Sequence, residues 1–521
     1  MSNQKFQHRE RLLVVVYLHF MKSNKEILDI ILDIERSVPV DEIEYKAMKI
    51  WPIIRVGIWK QLTSLENKSE TRDGARSSKK YAIKYFFSKM GVVLSYIKYI
   101  LYKKEYGKKD VVFLSSPNNR WEKVDGKYFR PFSNSLQDIS KEAKVESIIL
   151  DIAPKKQNPV YGETHFILEE IENICSMYRI IDFLKTSLHL EKTEQIYSLD
   201  KLIKFAKSKY PELVFGRQFI TERADKILFC ERMFKKILKQ IRPKIGFSVC
   251  YYNPISMGYI KACRSLNIKT IEIQHSQQES DLMCISWTKL PQGGYLLLPS
   301  RWWCWGAKSA SGINSWSKGF YGEHKGIVGG NPWIAKNISG DYKIDYADND
   351  KLDAILKDKI NVLVALQPIE PILSNTLLEA ISNSPANVNW LVRMHPAIYE
   401  RVEEIKDQLK NTSNKNIEIK YSSDIPLFSL LKKVDFLVTA WSGIAYEALL
   451  FMVHPIIIHY NGKEAFKEYI ENGLFSYASS HQEITTILKL TKKDFNFNEE
   501  SPYMETNKEK MKEIILSLIE K

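Results

Sequence analysis

Apolar residues in the first hundred positions recur at three- and four-residue spacing, in KEILDIILDIERS (25–37) and again from Trp51 to Leu62, which predicts amphipathic helices. The stretch Ser64 to Lys80 is charged and poor in apolar residues, and reads as an exposed loop. Beyond Asp110 the texture changes to short apolar runs alternating with amphipathic ones. DVVFLSS (110–116), VESIILDIAP (145–154), KIGFSVCYY (244–252) and KTIEIQHS (269–276) predict strands, with helices at 225–240 and 257–266 among them. A second series follows, with NVLVALQP (361–368), NWLVRMHP (389–396), IEIKYSS (417–423), VDFLVTAWS (434–442) and HPIIIHYNG (454–462) as strands. Helical patterns at 374–384, 398–410, 426–433 and 443–451 separate them. The polar, acidic segment Ile338 to Asp350 between the two series is the natural linker.

Strands alternating with helices twice over predict an α/β fold of two Rossmann-type domains facing a cleft, behind an N-terminal helical region. The division is 1–109 (mainly helical), 110–337 (first domain, for an acceptor) and 351–521 (second domain, for a donor). A length of 521 residues with 44% apolar content supports two or three domains with sizeable cores. The segment GGYLLLPSRWWCWGAKSA (293–310), with Pro, Gly and clustered Trp, is expected to pack near the cleft.

Charge adds a partner to this picture. Lys plus Arg is 76 against 62 Asp plus Glu, a net +14, which suits a membrane surface, a nucleic acid or a phosphorylated substrate. The most concentrated lysines lie between Ser77 and Lys109, interleaved with aromatic and aliphatic residues. Such a helix can lie in the headgroup plane of an anionic membrane, or pack on the core with a solvated basic face. The apolar run Leu12 to Met21 is too short to cross a bilayer, which needs about 20 apolar residues, and lacks a small-residue cleavage site. The six cysteines are scattered, without a CxxC pair, and signal neither a disulfide framework nor a zinc site. These features predict a cytoplasmic protein, peripheral on the inner face of the membrane.

Candidate chemistry gathers where the strands of the second series end. Gln367 and Pro368 close the first, Arg393, His395 and Pro396 the second, Ser422 and Ser423 the third, and Thr439, Trp441 and Ser442 the fourth. Imidazole, guanidinium and hydroxyl groups on one rim are the donors a nucleotide phosphate needs. Ser442-Gly443 opens a helix, offering a hydroxyl and backbone N–H groups. Glu447, one turn in, is placed to accept both hydroxyls of a ribose. The bland alternative is that Ser442 only caps its helix and Glu447 is solvated.

The order of these pieces resembles GT-B glycosyltransferases of bacterial capsule and lipopolysaccharide assembly, in particular those with a His-Pro motif that use CMP-activated acidic sugars, the Kdo and sialic acid transferases. The matching residues are Gln367-Pro368, Arg393 to Pro396 (RMHP) and Thr439 to Leu449 (TAWSGIAYEAL). The resemblance implies that His395 contacts the donor phosphate and that the loop of Ser442 helps hold the nucleotide. IEIQHS (271–276) resembles the EIQHG or ELQHG segment of surface-polysaccharide transferases, with Ser276 in place of glycine. GGNP (329–332) resembles the glycine-asparagine-proline turn near the domain crossing of GT-B enzymes and related epimerases.

Transfer needs a base for the acceptor hydroxyl, or a nucleophile if configuration is retained. His275 is the leading base, because an imidazole at a strand end titrates near neutrality. Glu272, Glu279, Asp281 and Asp151 are carboxylate alternatives. The retaining β-Kdo transferases use a carboxylate nucleophile in the first domain, yet the corresponding loop CYYNP (250–254) holds no acid. The resemblance implies no bound metal and no cofactor beyond a nucleotide-sugar co-substrate, with a lipid-linked or polysaccharide acceptor. Within the same fold, a UDP- or GDP-sugar transferase or a sugar epimerase uses the same residues. A non-enzymatic membrane or nucleic-acid binding protein is the remaining alternative; the sequence carries no helix-turn-helix, RNP-type aromatic pair or zinc module for the latter.

Overall fold

The computed structural model describes residues 24–63, 105–116, 122–153, 159–187, 196–213, 216–275, 286–320, 322–342, 349–491, 495 and 504–520, with isolated positions between 90 and 97. The apolar run 12–21, the loop 64–80, most of the basic stretch 77–109, and Glu279 and Asp281 lie outside the described residues. The chain divides into two compact units. One holds Met1–Trp121, Tyr128–Pro332 and Met504–Lys521, the other Glu122–Lys127 and Trp333–Tyr503.

The first unit is built on seven strands: β1 (Val111–Ser115), β2 (Ser147–Asp151), β3 (Thr164–Phe166), β4 (Ile245–Ser248), β5 (Lys269–Ile273), β6 (Arg301–Cys304) and β7 (Lys325–Val328). They are all parallel, in the order 3-2-1-4-5-6-7. Their runs are continuously apolar because helices cover both faces of such a sheet. Phe113 stacks on Phe247 across β1 and β4 with ring centroids 4.9 Å apart. The long helix Arg217–Ile241 buries Ile220, Ala224, Ile227, Phe234 and Leu238 on one stripe. Gly258 lets helix Pro254–Ser265 close on it, since a Cβ there would stand 2.4 Å from the Cys230 side chain.

The N-terminal helices Asn24–Ser37 and Trp51–Thr63 belong to this same unit and share its core. Glu35 is fully buried between them, accepting from Trp51 Nε1 at 2.8 Å and from the Thr288 amide at 3.0 Å, with Arg55 alongside. The tryptophans of segment 293–310 serve the core. Trp302 and Trp303 stand fully buried on the interior strand β6, where their apolar area is worth most to the core.

The second unit repeats the plan with β8 (Ile360–Ala365), β9 (Val388–Arg393), β10 (Ile417–Glu418), β11 (Phe436–Thr439), β12 (His454–Ile457) and β13 (Ser476–Tyr477), all parallel and ordered 10-9-8-11-12-13. Both sheets therefore carry the doubly wound 3-2-1-4-5-6 order, and the predicted α/β class with two Rossmann-type domains is what the chain forms. The third predicted strand is cut short. The Glu418 carboxylate accepts from the Tyr421 and Ser422 amides at 2.9 and 2.8 Å and starts a helical turn, Lys420–Asp424, that carries Ser422 and Ser423.

The C-terminal end differs from the 351–521 division. The chain leaves the second unit and its last helix, Lys508–Glu520, packs in the first. The Glu505 amide donates to Trp305 O at 2.7 Å, the Asn331 amide to Glu505 O at 2.9 Å, and Lys512 pairs with Glu142 at 3.0 Å. Among the described residues no helix is long and apolar enough to cross a membrane.

Candidate functional site

In open parallel sheets ligands bind beyond the carboxyl ends of the strands, where the strand order reverses. In the second unit that point lies between β8 and β11. Gln367, just past β8, accepts through Oε1 from the Trp441 amide at 2.8 Å and from Thr439 Oγ1 at 3.3 Å, so the two strand ends are braced together. A cleft opens there, lined by Leu366, Gln367, Ile372, Thr439, Ala440 and His459 among others. Trp441 meets the His459 ring edge-on with centroids 4.6 Å apart, extending the braced rim to β12.

His395 is exposed on the turn after β9, the neighbour of β8. Its Nδ1 accepts from the Ala397 amide at 3.1 Å, capping the turn Pro396–Arg401 that Pro396 opens. An imidazole accepting at Nδ1 carries its proton on Nε2, which leaves an N–H donor on the outer edge of the ring. His459 is used the same way, its Nδ1 accepting from the Asn461 amide at 3.1 Å. Sequence reasoning passed over His459, although IIIH ends its strand as LVRMH ends β9.

Ser442 accepts weakly from the Ile444 amide at 3.4 Å, and Gly443 precedes the two-turn helix Ile444–Leu450. Gly443 sits at φ −58°, a conformation open to any residue, so its backbone does not call for glycine there. The Glu447 side chain has no hydrogen-bond partner among the described residues, and burial pushes its carboxyl up to about 7. Arg393 is placed differently from a phosphate ligand. Its Nη1 donates to Ser422 O at 2.8 Å and Ile425 O at 2.6 Å, fixing the helical turn beside β9.

In the first unit the order reverses between β1 and β4. His275 stands just beyond β5, half-buried, its Nε2 3.3 Å from the Tyr252 hydroxyl and its Nδ1 3.4 Å from Ile273 O. Burial pulls its pKa below the ordinary range, so the ring is neutral at pH 7 and able to take a proton. Glu272 is 2% exposed, accepts from the Tyr251 amide at 3.4 Å, and is pushed up to about 8 by burial. A closed, protonated carboxyl of this kind is no ready base for an acceptor. Asp151 departs further from the catalytic expectation: it ends β2 wholly buried in an ion pair with Arg130, which holds the start of helix Pro131–Glu142 to the sheet. In the CYYNP loop Asn253 caps helix Pro254–Ser265, accepting from the Ile255 and Ser256 amides at 3.1 and 2.9 Å. Among the described residues no group of three His, Cys, Asp or Glu side chains could hold a metal ion.

No family model and no curated protein matches this chain. Solved structures similar to it include a UDP-GlcNAc 2-epimerase from Methanocaldococcus jannaschii, at 12% identity and TM-score 0.49, covering 79% of this chain and 99% of that one. A putative UDP-N-acetylglucosamine 2-epimerase from Listeria monocytogenes stands at 14% identity and TM-score 0.47, with 79% and 96% covered. An Anabaena protein solved with UDP and glucose stands at 10% and 0.36, with 79% and 97% covered.

Proposed function

We propose that this chain is an enzyme acting on a nucleotide sugar, and specifically a glycosyltransferase of surface-polysaccharide assembly, with the donor held by the second unit. The observation that carries the reading is the rim at the β8–β11 reversal. Gln367, Trp441 and His459 are locked together there; the turn that carries His395 follows the adjacent strand β9, and Glu447, its carboxyl raised by desolvation, lies on the helix that follows β11. A nucleotide answers each need: its phosphate takes the imidazole N–H and the Ser442 hydroxyl, and its ribose hydroxyls take the Glu447 carboxylate. The QP, RMHP and TAWSG segments make CMP-activated acidic sugars the first donor class to test. A UDP- or GDP-sugar fits the same rim, and a UDP-sugar epimerase differs in needing no acceptor.

Within this reading His275, neutral at pH 7, receives the proton of the acceptor hydroxyl, while His395 and Ser442 stabilise the charge left on the departing phosphate. The acceptor is a lipid-linked or polysaccharide chain, and the basic stretch between Ser77 and Lys109 keeps the protein on an anionic membrane surface.

Thermal denaturation in the presence of CMP, CDP, UDP and GDP tests the reading, because a ligand binding only the folded state raises the melting temperature. One of them is expected to stabilise the wild type, and His395→Ala to lose that response, with the ligand-free melting temperature lowered only by the loss of the cap on the turn Pro396–Arg401. Stabilisation by none of the four would remove the nucleotide from the second unit.

A further inference from the structure

Hydrogen bonding fixes where the proton of the neutral His275 ring lies. Its Nδ1 faces Ile273 O at 3.4 Å, and a carbonyl oxygen only accepts, so Nδ1 carries the N–H. Burial keeps the ring neutral at pH 7, which leaves a lone pair on Nε2. The Tyr252 hydroxyl stands 3.3 Å from Nε2 and therefore donates to it. The lone pair of the base is thus already occupied by a hydroxyl, and a substrate proton has no direct way onto Nε2 while that bond lasts.

Tyr252 lies closer to the strand reversal of the first unit than His275 does. It is four residues past β4, one of the two strands at the reversal, while His275 follows β5, one strand further out. Ligands of such sheets bind at the reversal, so the tyrosine stands between the crevice and the imidazole. Both side chains are half-buried. The Tyr252 ring is held edge-on by Trp59, at 6.4 Å between centroids, and by buried Tyr251 at 5.5 Å. The Cys250 thiol, also in hydrogen-bond contact with Tyr252, is pushed up to about 11 by burial and keeps its own proton. Glu272, on β5, is pushed up to about 8 and is protonated at pH 7 as well. Of these ionisable groups, His275 is the one that takes up a proton at that pH.

We propose that Tyr252 meets the acceptor hydroxyl and relays its proton to His275, an inference that rests on the transferase reading above. As the acceptor oxygen bonds to the anomeric carbon of the donor, the bond from that carbon to the phosphate oxygen breaks, and its electron pair leaves with the phosphate. The acceptor O–H proton passes to the Tyr252 oxygen while the Tyr252 proton passes to His275 Nε2. Tyr252 ends as it began, and the positive charge gained by His275 balances the negative charge gained by the phosphate. Trp59, on helix Trp51–Thr63, gives the N-terminal helices a share in holding the relay in place.

Nitrogen-15 spectra of the full-length protein with labelled histidines, assigned by loss of the His275 signals in His275→Asn, test the hydrogen bond without any ligand. The wild type is expected to show His275 with Nδ1 protonated and Nε2 bare. Tyr252→Phe keeps the ring that Trp59 and Tyr251 hold, and in it the His275 pKa is expected to rise by about 0.7, because a hydrogen bond donated to Nε2 exists only in the neutral ring. Release of nucleotide from CMP-Kdo, UDP-GlcNAc and GDP-mannose, with water as acceptor, tests the relay. The donor that the wild type cleaves is expected to be cleaved about a hundredfold more slowly by Tyr252→Phe, at a KM within about twofold of wild type. A proton on Nε2 in the wild type, a His275 pKa unmoved in the variant, or undiminished turnover overturns the relay. Cleavage of none of the three donors by the wild type, with tautomer and pKa as expected, removes the transferase reading and the relay with it, and leaves the hydrogen bond standing.

Discussion

A carboxyl that titrates near neutrality gives its ligand a pH dependence. Glu447, with its pKa pushed up to about 7, can accept two ribose hydroxyls only when ionised; protonated, one of its oxygens becomes a donor. Nucleotide affinity is therefore expected to rise with pH through about 7, and Glu447→Gln to bind weakly with no such slope. The stability effect has the opposite sign. The folded state keeps a proton that the unfolded chain releases near 4.5, so the stability from the neutral carboxyl is complete below that value and lost as pH rises through about 7. Calorimetric titration of the nucleotide across this range checks the first statement, and a flat wild-type affinity would sink the ribose role. Glu447 could be picked out from the sequence by its place one turn into a helix after a strand end, but its desolvation could not, because helical spacing fixes where a residue lies on its helix and not how far its carboxyl is removed from water.

At the scale of elements, the alternation of apolar runs located nine of the thirteen strands of the two sheets, because parallel strands buried on two faces leave an unbroken apolar signature, and passed over β3, β6, β7 and β13. It misread what local hydrogen bonds or long-range pairs decide. The run IEIKYSS has a strand's composition, yet Glu418 captures two amides and turns the chain after Glu418 itself. Asp151 has the position of a catalytic residue, at a strand end, yet its partner Arg130 precedes a helix 21 residues away in sequence and seals it. That difference is measurable. Asp151→Asn leaves the Arg130 charge buried without its counter-ion, which costs about 3–5 kcal/mol when a buried pair is broken from one side. Urea denaturation is expected to show that loss, while turnover per folded molecule stays close to wild type. A stable variant with abolished turnover would return Asp151 to the catalytic set.

On the scale of the whole molecule, the two doubly wound sheets could be read from the sequence, and the path of the chain's last 18 residues could not. Helix Lys508–Glu520 carries an ordinary amphipathic pattern, which says that one face is buried but not against what. The answer lies in the GGNP turn. Gly330 sits at φ +81°, and a Cβ on it would stand 2.5 Å from Met511 Cε and 2.6 Å from Glu505 O, so glycine is required where the returning chain crosses Trp303 and Trp305. Met511 and Ile515 are fully buried there, each contributing about 1.5–3 kcal/mol by area. A chain ending at residue 503 is thus expected to weaken the first unit, although those residues follow the second in sequence. Hydrogen exchange should rise in β6 and helix Pro131–Glu142 and stay unchanged in β8, β9 and β11. Faster exchange in the second sheet instead would mean that the helix is held by the unit it follows, and that the GGNP glycines serve only their own turn.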